Sequence, residues 1–279
     1  MRVLVTGGSG QLGRALVAKL AAQGHDVLAP PRSRFDLLAV ESALPSLPWI
    51  PDALVNAAAM TDVDGCELDP DTAEAVNARS PGILAQFCRA HRVRFIHIST
   101  DYVFDGARAG GYVETDVTAP LQVYGRTKRL GEAAALSALP ETLVVRTAWL
   151  FGGGGSSDLR ERMRAMFRSW EERRAREGAS AALRFATDQR SSPTHVGDLA
   201  AGLTELLDTG AHGVMHLVNP GSTSRFELAQ ALSPPPGSLE PGRADDFPRP
   251  ARRPAQSALR TVRPDTPRLR PGLVAWCEP

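Results

Sequence analysis

The 279-residue sequence predicts an α/β protein: a doubly wound parallel sheet with a smaller C-terminal lobe. Three observations predict it. Apolar runs of strand length alternate with helix-length amphipathic stretches over residues 1–150, the pattern of parallel βαβ units. A glycine-rich turn joins the first strand to the first helix. Beyond residue 150 the alternation loosens into glycine-, arginine- and proline-rich sequence. Residues 1–150 therefore form the expected dinucleotide-binding Rossmann domain, to which 186–213 returns. Residues 151–185 and 214–279 form the expected smaller lobe.

Residues 2–6 (RVLVT) make a short apolar run, read as a buried strand. TGGSGQLG leads into amphipathic residues 14–23, and Gly24 suits the helix end. Residues 25–29 (HDVLA) and 52–57 (DALVNA) read as the second and third strands. Residues 70–92 carry Ala73, Val76, Ile83, Leu84 and Phe87 at helical spacing. Residues 94–99 (RFIHIS) are the fourth strand, 124–137 a helix and 142–150 (TLVVRTAWL) the fifth strand. A glycine run at 152–155 precedes a charged stretch at 159–176, read as a solvated helix. A helix at 198–207 and a short strand at 214–218 follow. Eleven of the 22 prolines fall in 233–279, yet Phe247, Leu259, Leu269, Leu273, Val274 and Trp276 give that stretch apolar surface to pack over a lobe.

Composition narrows the function. With 32 basic and 31 acidic residues, the net charge of +1 provides no field toward nucleic acid or an anionic membrane. Cys66, Cys88 and Cys277 lack metal spacing and are too few for a disulfide framework, so a reducing compartment is expected. No apolar run approaches the ~20 residues of a membrane span. MRVLVTGG enters a strand without a signal-peptide layout, so the expected location is the cytoplasm. The six histidines show no metal spacing and read as ordinary core or surface residues, so no metal site is expected.

Gly7, Gly10 and Gly13 stand between a strand and a helix. There, glycine lets backbone N–H groups approach a pyrophosphate on the helix N-terminus. An NAD enzyme usually places an acid near the end of the second strand, for the ribose 2′-hydroxyl. Here the sequence reads Ala29-Pro30-Pro31-Arg32-Ser33-Arg34. Arg32 or Arg34 would attract a 2′-phosphate, so NADPH is the expected cofactor, with NADH the weaker alternative.

Tyr124 and Lys128 form Y-x-x-x-K on one helix face. Only three tyrosines and two lysines occur in the chain, so coincidence at this spacing is rare. A tyrosine of ordinary pKa is a poor acid–base catalyst at neutral pH, and a nearby ammonium would lower that pKa. Ser99, Thr100 and Asp101 follow the fourth strand at its C-terminal end, where parallel sheets place their sites. Asn56 and Ala57–Ala59 follow the third strand with little side-chain bulk, and Asn77 could hold catalytic backbone by a side-chain hydrogen bond.

These motifs, with STDYVFDG, VYGRTKRLGE, RTAWLFG, DQRSSPT and FPRPARRPAQSAL, give nearly the whole chain a resemblance. It resembles the extended short-chain dehydrogenase/reductase superfamily and, within it, the dTDP-4-dehydrorhamnose reductases and related nucleotide-sugar 4-ketoreductases. The resemblance implies that Gly7, Gly10, Gln11 and Leu12 hold the pyrophosphate. It implies Asp36 and Leu37 beside the adenine, and Ala57, Ala58 and Ala59 beside the adjoining ribose and phosphates. Thr100, Tyr124 and Lys128 would be catalytic, with Tyr124 and Lys128 also touching the cofactor. Thr100, Asp101 and Trp149 would contact the sugar nucleotide. The implied reaction is NADPH-dependent reduction of the C4 ketone of a dTDP-4-keto-6-deoxyhexose, with Tyr124 protonating the alkoxide. An epimerase or dehydratase on the same fold is the first alternative. A non-catalytic NADP-binding subunit, like the regulatory subunit of methionine adenosyltransferase, is the second.

The sequence departs from the family pattern at two places. Arg14 and Ala15 stand where some bacterial members carry the glutamate of a metal-linked dimer. The family's FG-x-x-G-x-N-F stretch is degraded to FGGGGSSDL. The exact sugar, the face of reduction and the oligomeric state do not follow from the sequence.

Overall fold

The computed structural model describes residues 1–155, 158–178 and 181–278. Ser156, Ser157, Ala179, Ser180 and Pro279, all within the expected smaller lobe, lie outside the described residues.

Strand β1 (Arg2–Thr6) is apolar on both faces because both are covered. Val3 and Val5 enter one core layer and Leu4 the other. Helix α1 (Gln11–Ala22) follows the glycine turn and stops where Gly24 takes φ +81°. Next come β2 (Asp26–Leu28), a short α2 (Val40–Ala43) and β3 (Ala53–Asn56). Asp62 caps α3 (Val63–Leu68), and Asp69 caps α4 (Pro70–Glu74). A π-turn at Ala75–Arg79 joins α4 to α5 (Ser80–His91). The helix expected over 70–92 is thus present but underwound around Asn77, and such turns often mark functional positions. Then follow β4 (Arg94–Thr100), α6 (Val123–Ala138) and β5 (Leu143–Thr147).

The fifth strand ends earlier than the apolar run suggests. Trp149 takes φ +40°, which breaks the extension, and Leu150–Phe151 becomes a separate strand, β6. Helix α7 (Leu159–Glu177) is also not the solvated helix expected. It buries Met163, Phe167 and Trp170, and even the stem of Arg160. The remaining elements are β7 (Leu183–Ala186), β8 (Arg190–Ser191), β9 (Thr194–His195), α8 (Val196–Leu207), β10 (Gly213–His216), β11 (Thr223–Ser224), α9 (Arg225–Gln230), β12 (Leu239–Gly242) and α10 (Gly272–Cys277).

The main sheet has the order β10-β5-β4-β3-β1-β2, and every pairing is parallel. The chain reverses direction across the sheet between β1 and β3, so the crevice lies above their C-terminal ends. Residues 214–216, assigned from the sequence to the smaller lobe, instead sit in this sheet, where Val214 pairs with Val144. One core layer packs α1 and α8 against the sheet, and the other packs α5 and α6. A separate cluster of Phe151, Met163, Phe167, Phe185, Leu228 and Trp276 fills the smaller lobe. The Trp276 indole N–H donates to Leu228 O at 3.0 Å, which ties the proline-rich stretch into that core.

Candidate active site

A cleft of about 1820 Å³ runs along the C-terminal edge of the sheet, between it and the smaller lobe. At one end lies the glycine turn. Gly7 takes φ +70°, and a Cβ there would meet the backbone of Ala58 at 2.8 Å. Gly13 is packed as tightly against the backbone of Gly7 and Gly8. The turn therefore lies directly against Ala57 and Ala58, and both segments line the cleft. Gly10 is the N-cap of α1 and contributes no side chain there. The result is a helix N-terminus with bare backbone donors facing a cavity, which fits a pyrophosphate.

Gln11, Leu12, Arg32, Asp36, Leu37 and Ala59 line the same end. Arg32 Nε lies 3.3 Å from Asp36 Oδ2, so the arginine is held at the rim by the neighbouring carboxylate. Arg34 is different. It does not line the cleft and is exposed in the turn after Pro31, so the structure does not bring it to the site.

Thr100, Asp101, Tyr124 and Lys128 meet at the centre. Thr100 ends β4, and its hydroxyl accepts from Tyr102 N at 3.2 Å, capping the turn that begins at Asp101. Asp101 is 2% exposed, and its Oδ2 accepts from Ser191 at 2.8 Å and from Ser257 at 2.5 Å. Burial raises its pKa to about 6, against the pull of those hydroxyl donors. Tyr124 and Lys128 lie one helical turn apart on α6. Burial pushes the Tyr124 phenol above its usual pKa, and the Thr100 hydroxyl opposes the shift.

The hydrogen-bond contacts of the Lys128 ammonium are with the sheet. Lys128 is 2% exposed, and its Nζ donates to Ile98 O at 2.6 Å. Burial lowers its pKa to about 8, with Glu132 acting in the opposite direction. Helical spacing sets which face a side chain occupies, and packing sets where its end points.

Asn77 holds the backbone beside the site. Its Oδ1 accepts from Met60 N at 2.9 Å, and its Nδ2 donates to Met60 O at 3.0 Å. This clamps the segment that follows Ala59. Beneath the centre, Glu132 and Arg146 form a buried two-point ion pair at 2.8 and 2.7 Å, and Ser99 donates to Glu132 at 2.5 Å.

Across the cleft, Arg225 stacks over the Trp149 indole at 3.7 Å. The indole face that the sequence reading offered to a sugar is therefore partly covered by a guanidinium. Arg225 has no hydrogen-bond or ion-pair partner among the described residues. Burial lowers its pKa to about 10, and Arg249 and Arg162 add like-charge repulsion. Arg253 pairs with Asp64 at 2.8 and 2.9 Å, strapping the proline-rich segment to the first turn of α3.

The sequence reading did not name Ser191, Ser257 and Arg225 as site residues: they come from distant segments, and the stretches DQRSSPT and FPRPARRPAQSAL that hold the two serines entered only as part of the resemblance. His97 was read as an ordinary histidine. The signal available was alternation: His97 and Ser99 share a face of β4, and both meet α6.

This sheet topology, glycine turn and Tyr/Lys pair define an extended short-chain dehydrogenase/reductase. The chain belongs to the family described as the RmlD substrate binding domain, whose model matches residues 1–267. It is 40% identical over 283 residues to a dTDP-4-dehydrorhamnose reductase of Mycolicibacterium smegmatis, covering 99% of this chain and 83% of the relative. It is 42% identical to a probable dTDP-4,6-dihydroxy-2-methyloxan-3-one 4-ketoreductase of Streptomyces antibioticus, covering 93% and 86%. Among solved structures, the dTDP-4-dehydrorhamnose reductase of Bacillus anthracis, in complex with NADP, superposes with a TM-score of 0.87. That protein is 27% identical, over 99% of this chain and 96% of that one.

Proposed function

We propose that this cleft reduces the C4 ketone of a dTDP-linked 4-keto-6-deoxy sugar, using NADPH. The observation that carries the reading is the convergence of Thr100, Tyr124 and Lys128 beside the glycine turn, in a chain 40% identical to a named reductase. In this reading Gly7, Gly10, Gln11 and Leu12 hold the pyrophosphate. Asp36 and Leu37 flank the adenine, Arg32 meets the 2′-phosphate, and Ala57–Ala59 leave room for the ribose. Bound NADPH supplies the hydride for the carbonyl carbon.

The chain's own residues supply the proton and the orientation. Tyr124 is half-buried and keeps its proton at neutral pH, the state an acid needs to protonate an alkoxide. Thr100 sits beside it to donate a hydrogen bond to the same oxygen. Lys128 places a buried ammonium one turn away, which favours negative charge developing on the substrate oxygen. Trp149 and Arg225 form the wall against the sugar nucleotide, the guanidinium facing its phosphates. Within residues 1–150 most of the site serves the cofactor while Thr100, Tyr124 and Trp149 reach the sugar nucleotide, which the segments after 150, apart from those in the main sheet, also serve. With a soluble cofactor and substrate, the expected location is the cytoplasm.

The dehydratase alternative needs an available carboxylate near Thr100. Asp101 is the nearest, and two serine hydroxyls already occupy its Oδ2. The test is incubation with a panel of dTDP-4-keto sugars and NADPH, followed by NMR of the product. NADPH consumed in step with a C4 alcohol supports the reductase. Product formed without net NADPH loss would overturn it in favour of epimerase or dehydratase chemistry.

A further inference from the structure

His97 lies on β4, wholly buried, with its two ring nitrogens committed to different neighbours. Nε2 is 3.4 Å from Lys128 Nζ, and Nδ1 is 3.1 Å from the Asn56 side-chain amide. The other end of that amide meets the Thr6 hydroxyl at 2.6 Å. An ammonium has three N–H donors and no acceptor. One donor goes to Ile98 O at 2.6 Å. A second faces His97, so Nε2 must offer its lone pair, and the ring proton must sit on Nδ1. With Nδ2 of Asn56 toward the ring, the proton would be forced onto Nε2, against the ammonium. A half-turn of the amide brings its carbonyl to Nδ1–H and removes the conflict.

We propose that His97 is a positioning residue for Lys128: Asn56 locks it as the Nδ1–H tautomer, and its Nε2 with Ile98 O fixes two ammonium donors so that the third faces the cleft. The inference rests on the reading of Lys128 as part of the reducing site. Burial and the adjacent ammonium hold the imidazole well below its usual pKa, so it is neutral and able to accept. The charged and titratable groups around Lys128 are His97 from β4, Tyr124 and Glu132 from α6, and Arg146 of β5, which is paired to Glu132. Of these, only His97 presents a neutral acceptor to Nζ. Glu132 is already engaged by Arg146 and Ser99.

Two measurements test this. ¹⁵N-histidine NMR of the unaltered protein at neutral pH, assigned with His97→Gln, should show His97 with Nε2 bare and Nδ1 protonated. A protonated Nε2 would overturn the proposal, whether or not any variant folds. Kinetics with dTDP-4-dehydrorhamnose and NADPH supply the second arm. His97→Leu should lower kcat by about 10- to 100-fold with both KM values little changed, since misplacing a catalytic group acts on the chemical step. Its activity should fall at a lower pH than in the unaltered protein, because the ammonium loses a stabilising acceptor. His97→Gln, which keeps an acceptor, should recover most of the rate. An unchanged kcat and pH profile in His97→Leu would sink the proposal, as would equal losses in both variants. Lys128→Met separates the two readings. If it retains full activity, the reading of the site itself fails; if it is inactive while His97→Leu is unchanged, only the role of His97 fails.

Discussion

The two walls of the cleft are built differently. The sheet wall carries Thr100, Asp101, Tyr124 and Lys128 on the end of β4 and the start of α6, and the charged groups there and beneath it have partners within the protein. Asp101 has two serines, Lys128 has Ile98 O, and Glu132 has Arg146. The lobe wall carries Arg162, Arg225 and Arg249, one on a helix, one at a helix start and one on irregular chain, and Arg225 has only the Trp149 ring beneath it. Arg162 and Arg249 are exposed and Arg225 is half-buried, so this wall presents positive charge to the cleft. The sheet wall thus holds its charged groups in internal contacts, while the lobe wall turns three arginines to the cleft.

Breaking the sheet wall should have the largest effects. Tyr124→Phe keeps the ring and removes only the transferable proton. It should lower kcat by ~10²–10⁴ with NADPH affinity retained, read by steady-state kinetics and cofactor titration. Near-normal kcat would take Tyr124 out of the mechanism. Glu132→Ala leaves Arg146 buried without its counter-charge and should cost ~3–5 kcal/mol of stability in denaturant unfolding. A loss under ~1 kcal/mol would show that the wall does not depend on this pair.

Changes on the lobe wall should act on affinity instead. Trp149→Ala removes the platform under Arg225, so KM for the sugar nucleotide should rise about tenfold while NADPH affinity holds. A large drop in melting temperature with an unaltered KM would make Trp149 a core residue of the lobe. At the cofactor end, Arg32→Ala should weaken NADPH by about 1.5 kcal/mol, or tenfold, and leave NADH almost unchanged. Arg34→Ala should change neither, because Arg34 is exposed and does not line the cleft. Equal losses of both cofactors in Arg32→Ala would refute the 2′-phosphate contact.

The smallest effect concerns Asp101 and pH. Burial holds its folded pKa at about 6, above the usual carboxylate range. Its contribution to stability is therefore full below the unfolded value and is lost as pH rises through about 6. Asp101→Asn carries no such charge, so its melting temperature should gain on the unaltered protein between pH 4 and 7. A gap that shrinks over that interval would mean the carboxylate is better solvated than its burial implies.

Local regularities made much of this molecule legible in the sequence. Strand runs and helix spacing named the βαβ frame, because alternation and the helical repeat are properties of neighbouring residues. The glycine turn, the Tyr124–Lys128 spacing and the placement of Thr100 after β4 were local too, and each lies on the cleft. Where the sequence reading failed, a distant segment or a backbone twist intervened. Residues 214–216 joined the main sheet because β5 offered an open edge. The fifth strand stopped because Trp149 adopts a left-handed backbone that no propensity signals. Helix α7 reads as solvated, since its charged residues outnumber the few apolar ones that its core contact needs.

Tertiary structure alone decided the surroundings of each polar group. Ser191 and Ser257 reach Asp101 from 90 and 156 residues away. Lys128 turns down to Ile98 and His97, and Arg225 settles on Trp149. Sequence spacing fixes the face on which a side chain leaves its helix or strand. Burial and packing against remote chain fix where its charged end finds a partner, and with it the pKa and direction on which the chemistry depends.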